Sequence, residues 1–106
     1  MAALDPQIHA PARLQLVTML SAVSEAEFSR LRDELDVSDS VLSKHISALG
    51  AIGYVRSRKG THRGRRTTWV SLTPGGRKAL ASHIDALREL IAAADVTGTA
   101  GRPSPR

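Results

Sequence analysis

The sequence predicts a mainly α-helical fold that carries one two-stranded β-hairpin. Apolar residues recur at helical spacing in four segments of the chain. Ser, Thr, Pro and Gly stand at the ends of these segments, where helix caps and stops are expected. Between the third and fourth segments, two strand-like runs flank a glycine-containing stretch rich in arginine. With 106 residues and few aromatic side chains, the chain is expected to form one domain around an aliphatic core.

The first two helices are predicted from apolar spacing and from their starting residues. Residues 11–22 place Leu14, Val17 and Leu20 on one face, and Pro11 suits a first helical turn. The second helix is expected to open with a capping box formed by Ser24 and Glu27, and to run to Leu35.

The third helix is predicted to begin after Ser38 and to end near Ile52, with Gly53 in the left-handed conformation that terminates it. One flank of this helix is apolar and consists of Val41, Leu42, Ile46 and Leu49. Another flank is polar and consists of Ser40, Ser43, Lys44 and Ser47, at spacing i, i+3, i+4, i+7.

A basic hairpin is predicted to follow the third helix. Residues 54–58 and 67–72 are the expected strands, and residues 59–66 the expected loop, in which glycines allow the chain to turn. Its basic side chains are Arg56, Arg58, Lys59, His62, Arg63, Arg65 and Arg66. Arginine can bind phosphate in a bidentate manner or enter a narrow minor groove, so this hairpin suits contact with a DNA backbone.

The last helix is predicted to start at Pro74, capped by Thr73, and to extend to Ala94. Its apolar residues Leu80, Ile84, Leu87 and Ile91 follow a heptad pattern. This pattern favours a dimer interface, although an amphipathic helix can also cover the core of its own domain. We therefore divide the chain into an arm (1–10), a DNA-binding unit (11–73), a dimerisation helix (74–94) and a disordered tail (95–106).

Charge is sorted along the chain. The net charge is +5, yet no acidic residue occurs from Ser40 to Ile84, a segment that contains the third helix and the basic hairpin. Seven of the ten acids precede that segment: Asp5, Glu25, Glu27, Asp33, Glu34, Asp36 and Asp39. This distribution predicts an acidic partner that binds the middle of the chain.

The order of helix, helix, serine-capped helix, basic hairpin and helix is that of a winged helix-turn-helix. In that fold one helix enters the major groove of duplex DNA, and the hairpin, or wing, reaches the flanking backbone. The third helix would then carry most sequence choice, while the wing would gain affinity through counterion release.

Two stretches also resemble known regulators. The run VSDSVLSKHISAL (37–49) is similar to the recognition-helix region of ArsR-like proteins. GYVRSRKG and TTWVSLTPGGRKAL are similar to the wing and following helix of MarR- and PadR-like proteins. The chain therefore resembles the short, stand-alone winged helix-turn-helix transcriptional regulators allied to these families, over about residues 5–92.

The resemblance implies a dimer and a set of DNA-facing residues on the recognition helix: Ser38, Ser40, Ser43, Lys44 and His45. Periodicity adds Ser47. Asp39 departs from the polar residue frequent at its position; we favour an interaction with the helix dipole over reading of a cytosine amino group. His45 could donate to a phosphate or could pack within the domain. A two-fold dimer would bind a pseudo-palindromic operator in double-stranded DNA.

Trp69 is expected to pack against the first helix or a partner subunit rather than to stack on a base. The resemblance leaves room for a small-molecule effector, but the sequence identifies none. No cofactor or metal is expected, since the chain lacks cysteine and its histidines are scattered; His83 and Asp85 are a weak indication of a metal site.

Other classes of function are also compatible with parts of this sequence. The main alternative is a winged-helix module that docks an acidic protein; the wing could also be a solvated loop, or bind RNA or acidic lipid. An enzyme is not expected, because no catalytic constellation emerges from the sequence. No apolar run approaches the roughly 20 residues of a membrane span, so a cytoplasmic protein without membrane contact is expected.

Overall fold

The computed structural model describes residues 3–101, with side chains described for residues 3–94. Its helices are α1 (Pro6–His9), α2 (Pro11–Ser21), α3 (Phe28–Leu35), α4 (Asp39–Ala51) and α5 (Pro74–Gly101). Its strands are β1 (Ala26–Glu27), β2 (Val55–His62) and β3 (Arg65–Leu72). They form an antiparallel sheet in the order β1-β3-β2. The predicted fold class is confirmed, although the sheet has one more strand than the predicted hairpin.

Helix α4 has the ends that the sequence predicts. The Ser38 hydroxyl oxygen accepts a hydrogen bond from the Val41 N–H at 3.2 Å, which satisfies a backbone donor of the first turn. At the other end Gly53 has φ +81°, and the Tyr54 N–H donates to the Leu49 carbonyl at 2.9 Å. These caps turn the chain from α4 directly into β2.

The predicted capping box at Ser24 and Glu27 is wrong. Ala26 and Glu27 form strand β1, which pairs with Val70 and Trp69 of β3, and α3 begins only at Phe28. The Glu27 carboxylate accepts a hydrogen bond from the Thr67 hydroxyl at 3.0 Å instead of capping the helix. A capping box is a local pattern, and pairing with a strand about 40 residues away overrides it here.

The predicted eight-residue wing loop is also wrong. Strands β2 and β3 continue to His62 and Arg65, which pair directly, and only Arg63 and Gly64 connect them. Both connecting residues have positive φ, 54° and 78°, as the tight turns of β-hairpins require. Charged and polar side chains cover both faces of this part of the hairpin, so the sequence shows no apolar alternation that would mark it as strand.

The core lies between the sheet and the helices, and each of α1 to α5 contributes to it. Its buried apolar residues are Ile8, Leu16, Val17, Leu20, Leu31, Leu42, Leu49, Val55, Val70, Leu72 and Leu80. Val41 was predicted to face inward, but 41% of its surface is exposed, because the apolar flank of α4 is narrower than expected. The core therefore uses Leu42 and Leu49 of this helix and leaves its first turn open.

Helix α5 starts as predicted and ends later than predicted. The Thr73 hydroxyl accepts a hydrogen bond from the Gly76 N–H at 2.9 Å and donates to the Gly53 carbonyl at 2.6 Å. The helix passes Ala94 and continues to Gly101, so residues 95–101 are helical and not an irregular tail. The rest of the predicted tail, residues 102–106, lies outside the described residues. Along residues 3–101, no helix has the length and apolar character needed to cross a membrane.

Candidate nucleic-acid interface

A cleft of about 380 Å³ separates α4 from the sheet. It is lined by Phe28, Asp39, Ser43, Ile46, Ser47, Ser57, Lys59 and Thr68. Three residues predicted to bind DNA, Ser43 and Ser47 of α4 and Lys59 of β2, thus face one space. The polar flank of the helix and one face of the hairpin lie side by side.

The polar flank of α4 is exposed as the sequence predicts. Ser40, Ser43, Lys44 and Ser47 are all exposed, and their spacing places them on the same side of the helix. Three of them are small, so this side could approach base edges closely. Ser38 lies at the start of the same side, but its hydroxyl oxygen is occupied by the helix cap and lies 3.2 Å from that of Ser40.

The sequence reasoning missed Ser57 and Thr68, which complete the cleft from the sheet. Ser57 pairs with Val70 and Lys59 pairs with Thr68, so all four share the sheet face that bears the buried residue Val55. The Lys59 ammonium donates to the Thr68 hydroxyl at 3.0 Å. Both residues lie within the predicted strands 54–58 and 67–72, so alternation from Val55 and from Val70 is enough to indicate that they share this face.

Strand alternation divides the basic residues of the wing between two faces. Lys59 and Arg66 lie on the face that looks toward α4, and both line a further cleft of about 220 Å³. The opposite face carries Arg56, Arg58, His62 and Arg65. Arg63 occupies the turn at the tip. The predicted set of wing contacts is therefore not one surface.

Arg58 is held by an acid of its own chain. Its Nε donates to Glu25 Oε2 at 3.0 Å, and its second contact joins Nη2 to Glu25 Oε1. The guanidinium carbon also lies 5.7 Å from the centre of the Trp69 ring. The hydrogen bond from Arg58 lowers the pKa of the Glu25 carboxyl, so both groups are charged at neutral pH. Arg58 is thus paired within its own chain, and its contact with DNA stays a prediction.

Trp69 packs within the wing, on the sheet face opposite the buried Val70. Its ring meets the His62 ring edge-on, with centroids 5.6 Å apart, on the side of the sheet that carries Arg58. The Nε2 atom of His62 is 4.0 Å from Glu27 Oε1. The described contacts of Trp69 are therefore made within the wing, and contact with a partner subunit stays a prediction.

His45 is half-buried and bonded inside the domain. Its Nδ1 accepts a hydrogen bond from Arg13 Nε at 3.2 Å. Burial lowers the pKa of His45, and the charges of Arg13 and Lys44 lower it further. The neutral ring then carries its proton on Nε2, which leaves one donor for a phosphate. The packing interpretation is supported by these contacts, and DNA contact by His45 stays a prediction.

Asp39 lies in the first turn of α4, and Arg32 Nη1 donates to its Oδ1 at 3.0 Å. Hydrogen bonds to Asp33 and Asp39 raise the pKa of Arg32. A carboxylate at this position complements the partial positive charge of the helix N-terminus. The geometry favours the structural interpretation of Asp39, although the residue also lines the cleft.

The predicted dimer residues of α5 differ in their surroundings. Leu80 is only 5% exposed and belongs to the core of its own chain, so it offers little surface to a second chain. Ile84 is partly buried against the same core, and Leu87 is half-buried. Ile91 is 64% exposed, beside Leu90 at 56%. Only the second half of the heptad pattern is free to meet another chain.

Among the described residues, no group of three or more His, Cys, Asp or Glu side chains could hold a metal ion. His83 is fully buried, and its Nδ1 accepts a hydrogen bond from the Asp5 N–H at 2.9 Å. Asp85 is exposed on α5. His83 therefore has a structural contact that its sequence position did not indicate.

Comparisons with known proteins agree with this geometry. A family model described as a winged helix DNA-binding domain matches residues 12–91. An uncharacterised protein of Methanocaldococcus jannaschii is 28% identical over 78 residues, which are 74% of this chain and 85% of that protein.

Solved structures show the same fold. A transcriptional regulator homologue from Pyrococcus horikoshii is 27% identical, with a TM-score of 0.78 over 84% of this chain and 88% of that one. A MarR-family transcriptional regulator from Enterococcus faecalis is 22% identical, with a TM-score of 0.64 over 88% of this chain and 80% of that one.

Proposed function

The chain belongs to the winged helix DNA-binding domain family, and we propose that it is a sequence-specific, dimeric transcriptional regulator of double-stranded DNA. In this proposal α4 enters the major groove and the wing contacts the adjacent backbone or minor groove.

One observation carries the proposal. The hydroxyl-bearing side of α4 and the Lys59 side of the wing border the same cleft. Ser43 and Ser47 are short enough to approach base edges, while Lys59 and Arg66 offer charge to phosphates on the same side of the molecule. A DNA duplex presents base edges and phosphates side by side with a regular spacing. The surface of an acidic protein has no such regular arrangement.

The tip of the wing adds a second contact. Arg63 lies in a tight turn at the end of two eight-residue strands, and the adjacent basic residues are exposed. A narrow hairpin that ends in arginine suits insertion into a minor groove, where the negative potential is strongest at A·T-rich sequence. These residues would add affinity and fix register, with sequence choice left to α4.

The proposed dimer interface lies on α5. Leu90 and Ile91 are exposed apolar residues on a helix that extends beyond the core of the domain. A two-fold pair of chains would present two α4 helices to successive major grooves, about 34 Å apart, and would select a pseudo-palindromic operator.

The decisive experiment selects bound duplexes from a random library and measures the salt dependence of binding to the selected sequence. Replacing Arg66 with Gln should weaken binding to all sequences and reduce the log–log salt slope by about 0.9, the value for one phosphate contact in duplex DNA. Replacing Ser43 with Ala should instead change which sequences are selected.

Arg30→Gln is the matched control, because Arg30 is an exposed cation on α3 that pairs with Glu34. It removes the same charge as Arg66→Gln and should leave the salt slope unchanged. Equal affinity for selected and random duplexes at physiological salt would contradict the proposal and favour a winged-helix module that docks an acidic protein.

A further inference from the structure

The sheet face that looks away from α4 is occupied by contacts within the chain. We call this set the outer cluster: Glu25, Glu27, Arg58, His62, Thr67 and Trp69. Two of its members are acids that lie at or beside strand β1, and two are basic residues that the sequence assigns to DNA binding. The outer cluster thus links the wing to the segment that leads into α3.

The Glu25 contact holds Arg58 with two hydrogen bonds. A carboxylate that faces the planar guanidinium fork fixes the orientation of the side chain as well as its charge. The side chains are 55% and 29% exposed, so the pair lies at the surface and remains reachable by solvent. A phosphate that approached Arg58 would compete with Glu25 for the Nε and Nη2 donors.

Arg58 also contacts the Trp69 ring, and the lack of a side chain at Gly60 leaves space for this contact. Residues 58, 60 and 62 share one face of β2, and the indole ring lies over Gly60 between the other two. A Cβ atom on Gly60 would lie 2.8 Å from Arg58 Nη1 and 3.0 Å from Trp69 Cδ1. The absence of a side chain at Gly60 therefore allows Arg58 and Trp69 to meet.

Glu27 contacts the part of the wing that contains Thr67 and His62. Its Oε2 accepts from the Thr67 hydroxyl at 3.0 Å, and its Oε1 lies 4.0 Å from His62 Nε2. Strand β1 has only two residues, so its backbone ladder with β3 is short. The two acids supplement that ladder with side-chain contacts farther along the hairpin.

We propose that Glu25 and Arg58 are positioning residues, which set the angle of the wing relative to α4 and do not themselves contact DNA. This inference rests on the proposed DNA-binding function. A hairpin of two strands is marginally stable alone, and a wing that is already oriented loses less conformational entropy when it binds. The proposed DNA contacts of the wing then include Lys59 and Arg66 of the opposite sheet face and Arg63 at the tip.

The test compares Arg58→Gln, Glu25→Gln and Arg66→Gln in binding to the selected duplex over a range of salt concentrations. Arg58→Gln should weaken binding about two- to fivefold, as loss of an exposed ion pair allows, and should leave the salt slope unchanged. Arg66→Gln should reduce the slope by about 0.9.

The Glu25→Gln variant separates two interpretations of Arg58, contact with phosphate and positioning of the wing, because they predict opposite changes in DNA affinity. If Arg58 contacted phosphate, removing Glu25 would free it and remove a negative charge, so affinity would rise. If the two residues position the wing, affinity should fall by about the same factor as for Arg58→Gln. A rise in affinity for Glu25→Gln, or a slope reduced by Arg58→Gln as much as by Arg66→Gln, would overturn the inference.

Trp69 allows the cluster to be tested without DNA, because it is the one tryptophan of the sequence. Its fluorescence emission should shift in the folded Arg58→Gln and Glu25→Gln variants and should stay unchanged in Arg66→Gln. Unchanged emission in all three variants would overturn the inference. If the emission shifts but the unaltered protein shows no salt-dependent DNA binding, the proposed function fails while the outer cluster stands.

Discussion

At Gly76, neighbouring atoms leave no room for a side chain, although the backbone conformation itself would allow one. It lies in the first turn of α5, where a Cβ atom would be 2.1 Å from the Tyr54 carbonyl oxygen and 2.8 Å from Leu72 Cδ1. At Gly75 the atoms nearest to a Cβ are 3.7 Å away, which is ordinary contact. The sequence shows two adjacent glycines and gives no means of telling them apart.

These two glycines form a matched pair for a stability test. Gly76→Ala should lower the free energy of unfolding by about 1–3 kcal/mol or more, because backbone at Tyr54 must move. Gly75→Ala should change it by less than about 1 kcal/mol, toward higher stability, since alanine favours a helix. Urea denaturation of both variants checks this, and equal losses would contradict the predicted close approach at Gly76.

The basic residues of the wing differ in their surroundings, although the sequence does not distinguish one from another. Arg58 pairs with Glu25, whereas Arg66 lines a cleft beside Lys59. The sequence predicted correctly that the cations cluster on the hairpin. It could not predict which of them a carboxylate holds, because Glu25 and Arg58 are 33 positions apart.

Among the elements, α4 is the one whose ends the sequence predicts well. Ser38 and Gly53 act through backbone groups within five residues, so the signal is local. Strand β1 is the opposite case, since its two residues are extended only because β3 lies beside them. The Ser24 and Glu27 pattern looks like a helix start, and nothing nearby in the chain shows that a strand replaces it.

This contrast predicts different effects for two serines. Ser38→Ala should reduce the free energy of unfolding by about 1 kcal/mol, because the Val41 N–H loses its partner. Ser24→Ala should have an effect within about 0.5 kcal/mol, as for other exposed positions without special contacts. Thermal or urea unfolding of the two variants measures both effects. A loss of about 1 kcal/mol in Ser24→Ala would contradict this prediction and support a capping box at Ser24.

In the wing, strand geometry divides the basic side chains between two faces of the sheet. Eight residues per strand with a two-residue turn place alternate side chains on opposite faces, so Lys59 and Arg66 lie on the face that bears Val55, while Arg58 and Arg65 lie on the other face. A loop of eight residues would have imposed no such division. The register between β2 and β3 therefore separates the proposed DNA contacts from the outer cluster.

For the whole molecule, Asp5 joins three parts of the fold. Its carboxylate accepts from the Tyr54 hydroxyl at 2.6 Å and from the Gln7 N–H at 2.9 Å, and its own N–H donates to His83 Nδ1. The segment before α1, the end of α4 and helix α5 are thus connected at one residue. The hydrogen bond to Asp5 raises the pKa of Tyr54, so the phenol keeps its proton.

The buried His83 should make stability depend on pH. Burial lowers its pKa and the nearby His9 lowers it further, while Asp5 acts in the opposite direction. The unfolded chain, in which the pKa of histidine is about 6.5, then binds more protons than the folded chain just below that pH. The free energy of unfolding should therefore fall as the pH drops from about 7.5 to about 5.5.

His83→Asn should flatten this dependence, because asparagine does not titrate and its side-chain oxygen can still accept from the Asp5 N–H. His45→Asn removes the other histidine whose pKa burial lowers, and the double variant should show the weakest dependence. The measurement is urea denaturation at several pH values. An unaltered pH dependence in His83→Asn would show that the group titrates in the folded chain as in the unfolded one.

The proposed dimer makes a prediction about α5. Ile91→Lys should shift the chain toward the monomer in sedimentation experiments, because a charge enters the exposed apolar pair formed with Leu90. Ser82→Lys is the control, since Ser82 is also exposed and the helical period of 3.6 residues puts it on the opposite side of the helix. A monomer before either change, or an equal shift in both variants, would contradict the proposed interface.

Features that depend on near neighbours can be predicted from the order of residues alone: the caps of α4 and α5, the acid-free basic segment, and the winged-helix order of elements. Tertiary structure decided the features that depend on distant parts of the chain. Pairing with β3 made residues 26–27 a strand, sheet register divided the wing cations, and packing took Leu80 into the core. The physical reason is that capping and periodicity act within a few residues, whereas register and burial depend on which distant residues the fold brings together.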